Sequence, residues 1–201
     1  MSSLAVSLAP PRSRVGLRLA YEALCALTGS VLVAGLAQIS FRVPWTPVPY
    51  TGQTLGVLLV GASLGPSIGA ASLGLYLLEG AVGLPFFAGG ASGWDLLRLS
   101  AVTGGYLWGF LIAAAVVGAL ARLGWDRSIR SAIGAFFIGE VVLYLIGVPW
   151  LMGALHVGIA KGLEYGLYPF VLGDTVKLLL AAGTLPAAWR ILNALSPERG
   201  N

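Results

Sequence analysis

The sequence predicts an all-α integral membrane protein with six transmembrane helices in one compact bundle, an external-side ligand pocket and both termini in the cytoplasm. Of its 201 residues, 57% are hydrophobic and only 10% are charged, whereas soluble domains are about 25% charged. A soluble fold would need polar surface that this chain lacks. Residues 1–201 are therefore interpreted as a single membrane domain, with a short basic cytoplasmic segment at residues 1–16 and the bundle over about residues 17–195.

The first span is predicted over about residues 17–40. The sequence FRVPWTPVPYTG, residues 41–52, follows it and contains three prolines, which favour an extended loop. We call these residues the capping loop. Trp45 and Tyr50 lie in this proline-stiffened loop and not at a helix end. The loop is therefore expected to fold over the mouth of a pocket with little loss of conformational entropy.

The next apolar stretch is interrupted by Gly65-Pro66, which predicts a second span over about residues 53–64 and a third over about residues 67–82. The second span has only about twelve residues, whereas a full crossing needs about twenty. It is therefore either extended by the capping loop or is a broken helix that does not reach both interfaces. A glycine-rich, irregular segment follows at residues 83–97. The last three spans are predicted over about residues 103–123, 129–155 and 168–195.

The positions of lysine and arginine predict the orientation. With the N-terminus inside, eight of the twelve cations fall on the inner side and three fall in outer loops. The inner ones are Arg12, Arg14, Arg18, Arg122, Arg127, Arg130, Arg190 and Arg199, and the outer ones are Arg42, Arg98 and Lys161. Cytoplasmic loops carry such an excess, so both termini are expected in the cytoplasm after an even number of crossings. The net charge of +4 is interpreted as this topology signal, and no nucleic-acid partner is expected because no basic run carries interleaved aromatics.

Two ionisable residues lie within the sixth predicted span, whose sequence PFVLGDTVKLLLAAG contains Asp174 and Lys177. An ionised side chain near the centre of a membrane helix costs about 2.5–3.5 kcal/mol. Positions i and i+3 share a helix face, so the two side chains can form a structural ion pair or jointly hold a polar ligand. Ligand binding is the favoured interpretation, because ionisable residues within spans mark functional sites by default.

Two further acidic residues have apolar neighbours. Glu79 lies near the outer end of the third predicted span and is expected to reach the membrane interface. Glu140 lies nearer the middle of its span. It is expected to bond to tyrosine or backbone partners, or to be protonated because desolvation disfavours a charged carboxylate; a coupling-proton role is the third interpretation.

No catalytic or metal-binding residues are predicted. The sequence contains no G-x-x-x-x-G-K-[ST] motif, so the chain is not itself a P-loop ATPase. A single histidine, His156, removes the usual base of most hydrolases and cannot build a histidine metal site, and a single cysteine, Cys25, excludes an internal disulfide. No cofactor is expected, and the chain is not expected to be an enzyme.

Several sequence motifs follow one another in an order that resembles the BioY family, the biotin-specific substrate-binding (S) components of energy-coupling factor (ECF) transporters. Residues 48–90 contain V-P-Y-T-G-Q-T, then L-G-P-S-I-G, then Y-L-L-E-G-A-V-G-L-P-F-F. Residues 103–110, TGGYLWGF, and residues 169–177, PFVLGDTVK, resemble the next motifs of the family. The resemblance extends over about residues 43–185, and the order of the motifs makes it specific.

This resemblance implies six helices, an external pocket and biotin as the ligand. The family's G-D-x-x-K motif contacts biotin through its aspartate and lysine, which match Asp174 and Lys177. The ureido ring of biotin offers two N–H donors and one carbonyl acceptor, so a carboxylate and an ammonium can both bond to it. Gln53 matches a glutamine at the end of the family's loop and is expected to bond to the ring or to lock the loop.

The resemblance also points to the segment that holds the biotin carboxylate. In relatives, a polar residue in the segment that corresponds to FAGGASGWD is implied to contact this carboxylate. In this chain Ala91 stands at that position, with Ser92 beside it. Arg98 is an anion partner by charge alone and equally an ordinary interfacial arginine. The complete set of predicted substrate-binding residues is Asp174, Lys177, Gln53, Trp45, Tyr50, Ala91 and Ser92.

The resemblance also implies a multi-pass protein of the plasma membrane. Its implied partners are biotin, the lipid bilayer, a membrane coupling (T) subunit and two cytoplasmic ATPase subunits that would hydrolyse ATP. Two other functions stay open. One is a self-sufficient secondary transporter of biotin or another small vitamin, in which Glu140 and the Asp174–Lys177 pair carry a coupled proton. The other is a membrane scaffold without a ligand, in which the ion pair is purely structural.

Overall fold

The computed structural model describes residues 3–11 and 13–195. Two cations of the orientation argument, Arg12 and Arg199, lie outside this part of the chain. The described residues form helices α1 (Leu4–Leu8), α2 (Val15–Ala37), α3 (Gln53–Ala81), α4 (Gly104–Arg122), α5 (Ile129–Leu155), α6 (Ile159–Gly166) and α7 (Val171–Leu195). Strands β1 (Ser40–Phe41) and β2 (Tyr50–Thr51) pair antiparallel at the two ends of the capping loop.

Five of these helices are long and apolar enough to cross a membrane, judged by length and composition over the described residues. Their candidate spans are Val15–Ala37, Gln53–Ala81, Gly104–Arg122, Ile129–Leu155 and Val171–Leu192. Many of their large apolar side chains, such as Leu24 and Leu145, remain exposed on the bundle. Such an apolar exterior suits lipid better than water, because the transfer of apolar surface from water into an apolar environment is favourable.

Helix α3 folds back on itself at Gly65, whose φ of 81° and ψ of 177° are not helical. The following Pro66 has no N–H to donate and disfavours a helical conformation in the residue before it. The Gln53 amide donates to the Tyr76 hydroxyl, although a straight helix would place these residues about 34 Å apart. The break predicted at Gly65-Pro66 is therefore confirmed, and the two arms of α3 run antiparallel.

Helix α4 crosses this bend at very close range. A Cβ atom on Gly118 would lie 2.4 Å from the carbonyl carbon of Gly65, a distance that real Cβ atoms do not adopt. The absence of a side chain at Gly118 thus lets α4 lie against both arms of α3. Small residues have this role in membrane helix packing generally.

Several elements differ from the sequence-based expectation. The stretch before the last span contains helix α6, and α7 begins at Val171 and not at about residue 168. Helix α1 was also not predicted, since five residues give too few turns for a clear periodic signal. The capping loop is closed at its base, where Phe41 pairs with Tyr50, and this pairing was not predicted.

A buried carboxylate joins the α4–α5 connection to α7. Asp126 is 1% exposed, and the Trp189 indole donates to its Oδ2 atom at 2.5 Å. The Arg127 guanidinium lies 3.5 Å from the centre of the Trp189 ring. Burial raises the pKa of Asp126 above its ordinary value, against the opposing effects of the Trp189 hydrogen bond and the Arg127 charge.

Candidate functional site

A cavity of about 250 Å³ lies beneath the capping loop, between α3, α4, α5, α7 and the glycine-rich segment. Its polar lining side chains are Arg42, Thr51, Gln53, Thr54, Thr103, Tyr106, Tyr144, Asp174 and Lys177. Its larger apolar lining side chains are Val48, Phe87, Leu96, Val102, Leu107, Phe110, Leu143 and Phe170. Small-molecule pockets usually measure about 300–1,000 Å³, so a cavity of this size suits a small ligand. The apolar side chains of its lining suit a ligand that is largely apolar.

The Asp174–Lys177 ion pair lies on the wall of this cavity. The Lys177 Nζ atom is 2.8 Å from Asp174 Oδ1, and both residues project from α7. Asp174 is only 3% exposed. The sequence placed both side chains on one helix face, and their pairing confirms that placement.

Two neighbouring helices hold the pair in place. Thr54, on the first arm of α3, donates to Asp174 Oδ1 at 3.1 Å and also lies 3.0 Å from the Lys177 ammonium. Tyr144, on α5, donates to the other carboxylate oxygen, Oδ2. The carboxylate is thus fixed by groups from three helices. Ligand binding would therefore cost little further side-chain conformational entropy at Asp174.

These bonds leave one donor and one acceptor for a ligand. An ammonium has three N–H donors, and Lys177 uses two of them, on Asp174 and Thr54. A carboxylate offers about four acceptor positions, and Asp174 uses three of them. The pair can therefore donate to a carbonyl and accept from an adjacent N–H at the same time.

Gln53 lies at the start of α3, lines the cavity and is 4% exposed. Its side-chain amide donates to Tyr76 on the opposite arm of α3, and its backbone N–H donates to Thr51 Oγ1 at 3.3 Å. Within the part of the chain that the structure describes, no donor reaches the Gln53 Oε1 atom. Gln53 therefore joins the two arms of α3 and keeps an acceptor near the cavity; its contact with a ligand stays a prediction.

The capping loop is fixed to the region where α6 ends and α7 begins. Thr46 donates to the Tyr165 carbonyl at 2.6 Å, and the Tyr50 hydroxyl donates to the Pro169 carbonyl at 2.9 Å. The Tyr50 ring packs on Phe170, a lining residue, with 4.7 Å between ring centres. Tyr50 therefore lies just behind the cavity wall, where it supports the wall and does not itself line it.

Trp45 lies farther from the cavity than the sequence suggested. Its side chain is 59% exposed and does not line the cavity, whereas the next residue, Thr46, is buried. The residue that turns inward from this part of the loop is thus Thr46, because its hydroxyl has the buried partner described above. A proline-rich loop has no regular alternation from which this choice could have been predicted.

The glycine-rich segment contributes one of its two predicted contacts. Ala91 lines the cavity, and Ser92 does not. Arg98 is paired with Asp95 at 3.0 Å, with 61% of its side chain exposed. Arg98 is thus paired with a carboxylate outside the cavity lining, and among the described residues Arg42 is the arginine that lines the cavity.

Six lining residues with hydrogen-bonding side chains were not among the predicted site residues: Arg42, Thr51, Thr54, Thr103, Tyr106 and Tyr144. Tyr144 and Tyr106 are tyrosines inside apolar spans, a signal that could have been used, since a buried hydroxyl requires a partner. Their rings meet edge to face at 6.3 Å, and the Tyr106 hydroxyl donates to the Gly166 carbonyl at 2.8 Å. Thr54 stood directly beside the predicted Gln53, but its contact with α7 depends on helix packing.

The two other acidic residues have different surroundings. Glu79 is half-buried and accepts a hydrogen bond from buried Ser30 on α2, so it does not simply extend to an interface. Glu140 is 9% exposed, and its Oε1 atom has no hydrogen-bond partner among the described residues. It lines a second, mostly apolar cavity of about 840 Å³ between α5, α6 and α7, which also reaches Tyr144 and Asp174.

The family model of the BioY family matches residues 11–194. The chain belongs to the BioY family. The resemblance found in the motifs is thereby confirmed, and the match extends beyond the stretch, about residues 43–185, over which the motifs were found. The family consists of transporter components and not of known enzymes.

Curated relatives from distant organisms are similar over most of their length. A probable biotin transporter BioY of Pyrococcus horikoshii is 40% identical over 72% of this chain and 82% of its own. The biotin transporter BioY of Thermotoga maritima is 38% identical over 70% of this chain and 80% of its own. The biotin transporter BioY of Rhizobium etli is 32% identical over 79% of this chain and 87% of its own.

A solved structure has the same fold. It is the 2.1 Å crystal structure of an S-component for biotin from an ECF-type ABC transporter, and it superposes with a TM-score of 0.77. The alignment covers 90% of this chain and 95% of the other at 23% identity. This family member is thus a multi-pass protein of the plasma membrane with the fold of an S component.

Proposed function

We propose that the chain binds biotin at the external face of the membrane and delivers it for uptake as the substrate-specificity subunit of an ECF transporter. One observation carries this proposal: a buried ion pair on the wall of the 250 Å³ cavity keeps one donor and one acceptor for a ligand. Membership of the BioY family supports biotin as that ligand.

The ureido head of biotin matches these groups. Its carbonyl accepts from the third N–H of Lys177, and one of its N–H groups donates to Asp174 Oδ2. The second N–H donates to the Oε1 atom of Gln53. Bonds to ionised groups are shorter and stronger than neutral ones, so the head is expected to bind at the ion pair in a single orientation.

The rest of biotin is a thioether ring and a valeryl chain, both largely apolar. Aromatic and aliphatic side chains of the cavity wall, including Phe87, Phe110, Leu143 and Phe170, would enclose these parts. Apolar walls with a few convergent polar groups are typical of small-molecule sites. The capping loop would close the site, since Thr46 and Tyr50 fix it above the cavity.

The topology that goes with this function has six crossings. Each arm of α3 crosses the bilayer once, so the five long helices give an even number and both termini lie in the cytoplasm. The short first arm uses the capping loop to complete its path. Biotin then enters from the side of the capping loop.

Energy for release into the cell would come from partner subunits. The sequence has no Walker A motif, so ATP hydrolysis is assigned to two cytoplasmic ATPases that act through a membrane coupling subunit. The chain itself needs no cofactor in this scheme and carries out no catalysis.

The test is a calorimetric titration of the detergent-purified chain with biotin and with octanoate, which has an acyl carboxylate but no ureido head. Biotin should bind and octanoate should not. The variant Lys177→Met should lose biotin binding, whereas Lys161→Met, from an exposed pair with the same i,i+3 spacing and 2.8 Å distance, should bind like the wild type. A wild-type chain without measurable biotin binding would contradict the proposal and favour a scaffold.

One observation favours a second function, proton-coupled secondary transport. Glu140 is buried, lines a cavity that also reaches Asp174, and has an Oε1 atom without a hydrogen-bond partner in the described part of the chain. A proton bound there would lie close to the ligand site. Uptake into proteoliposomes containing only this chain separates the two functions. Uptake that a protonophore abolishes and that ignores ATP supports the secondary transporter; uptake that requires an added ATPase module supports the S component.

A further inference from the structure

Arg42 is a cavity-lining cation that has no carboxylate partner among the residues that the structure describes. It lines the cavity from the start of the capping loop, directly after β1. No hydrogen bond or ion pair reaches its guanidinium within residues 3–11 and 13–195. The cations Arg98 and Lys161, also predicted on the outer side, each pair with a carboxylate three positions away. Arg42 therefore keeps its full hydrogen-bonding capacity for a ligand.

Arg42 enters the cavity lining from the capping loop, whereas the ion pair projects from α7. Its neighbour Phe41 stacks on Tyr50 with 4.9 Å between ring centres, and Tyr50 packs on Phe170 with 4.7 Å between ring centres. The base of the capping loop therefore lies beside the start of α7. Asp174 and Lys177 follow Phe170 by four and seven residues. At 1.5 Å per helical residue, they lie about 6 and 10 Å deeper along α7.

The two positions differ in net charge. At the deeper position the carboxylate of Asp174 neutralises Lys177, so an anionic ligand group there would gain one attraction and suffer one repulsion. At the loop Arg42 attracts without a paired acidic group in the described lining. A ligand with a neutral polar head, an apolar body and an anionic tail is therefore held head-down, with its tail toward the loop.

We propose that Arg42 binds the carboxylate of the ligand and determines the specificity for it, which rests on the biotin-binding function proposed above. A guanidinium presents parallel N–H donors that match the two carboxylate oxygens. The Arg42 backbone is fixed at the base of the loop by the pairing of Phe41 with Tyr50. The valeryl chain spans the distance between the ureido head on Asp174–Lys177 and the Arg42 guanidinium.

The test compares biotin with biotinamide, in which a neutral amide replaces the carboxylate, on the full-length chain in detergent. The dissociation constants of both ligands are measured calorimetrically for the wild type, Arg42→Gln and Arg42→Lys. Arg98→Gln is the matched control, since it removes an arginine that lies outside the cavity lining. The wild type should prefer biotin by about tenfold, the scale of a hydrogen bond to a charged group.

Arg42→Gln should abolish this preference by weakening biotin alone, and Arg42→Lys should keep part of it. Unchanged biotinamide binding also shows that the variant is folded. A wild-type preference that survives in Arg42→Gln, or an equal loss of both ligands, would refute the assignment. A wild type that binds both ligands equally would refute it and leave the biotin function standing, whereas a wild type that binds neither would refute the function itself.

Discussion

Neutralising the Asp174–Lys177 pair should separate its role in binding from its role in stability. The perturbation is a set of three variants: Asp174→Asn, Lys177→Met and the double variant. Each single change leaves one ionised group beside the cavity without its 2.8 Å partner. The double change removes both charges together.

The structure sets the expected magnitudes. Asp174 is 3% exposed and bonds to Lys177, Thr54 and Tyr144, so it belongs to the class of buried, hydrogen-bonded charges. Truncating one partner of such a contact costs about 2–5 kcal/mol of binding. Each single change should therefore weaken biotin about 30- to 5,000-fold. The variant Tyr144→Phe removes one neutral donor to Oδ2 and should weaken biotin less than Asp174→Asn.

Stability should respond differently from affinity. A single change leaves an uncompensated buried charge, which destabilises by about 3–5 kcal/mol, whereas neutral replacement of a whole pair is often tolerated. The double variant should thus recover most of the melting temperature and none of the affinity. Titration calorimetry and thermal unfolding in the same detergent measure the two quantities.

A double variant with near-native biotin affinity would refute the reasoning, since the pair would then serve only the fold. Single variants with unchanged affinity would refute it as well. The exposed pair Lys161–Glu164 provides the control: neutralising it should leave both the affinity and the melting temperature near wild type, because exposed ion pairs contribute little.

Three further predictions concern the loop, the orientation and a buried acid. Tyr50→Ala should speed biotin release in stopped-flow measurements more than it slows binding, because it removes the bond to Pro169, whereas exposed Trp45→Ala should change neither rate; equal effects of both changes would contradict this. In a cysteine-free background, Trp45→Cys should react with an impermeant reagent from outside and Ser128→Cys only after lysis; the reverse pattern would invert the topology. Burial raises the pKa of Asp126, so its ionised form disfavours the folded state, and Asp126→Asn should raise the melting temperature at neutral pH. This gain should shrink as the pH falls below the raised pKa and vanish near the ordinary pKa of an aspartate; a gain that persists at acid pH would exclude that cause.

The features that the sequence predicted well are those set by neighbours along the chain. Asp174 and Lys177 share a face because helical geometry alone places i and i+3 together. The break at Gly65-Pro66 follows from the missing N–H of proline and the positive φ that glycine tolerates. Such local rules hold before any tertiary contact is known.

The features that the sequence missed depend on packing between distant segments. Thr54 meets Asp174 across 120 positions, and Tyr144 meets it across 30. Nothing local distinguishes Thr54 from other threonines near a helix start. Arg42 was assigned to an outer loop, and the pairing of β1 with β2 is what places it on the cavity lining.

The arrangement of charge in the cavity follows the cost of burying it. Deep in the bundle the structure places Asp174 and Lys177 together, so the pair carries no net charge where a lone ion would be expensive. A neutral ureido head can bind there without changing that balance. In the proposed arrangement the one net charge of biotin, its carboxylate, would lie beside Arg42 in the exposed loop, where water reduces the cost of desolvation. If the ligand were reversed, its carboxylate would lie beside Asp174 and the bundle would have to hold an unbalanced negative charge.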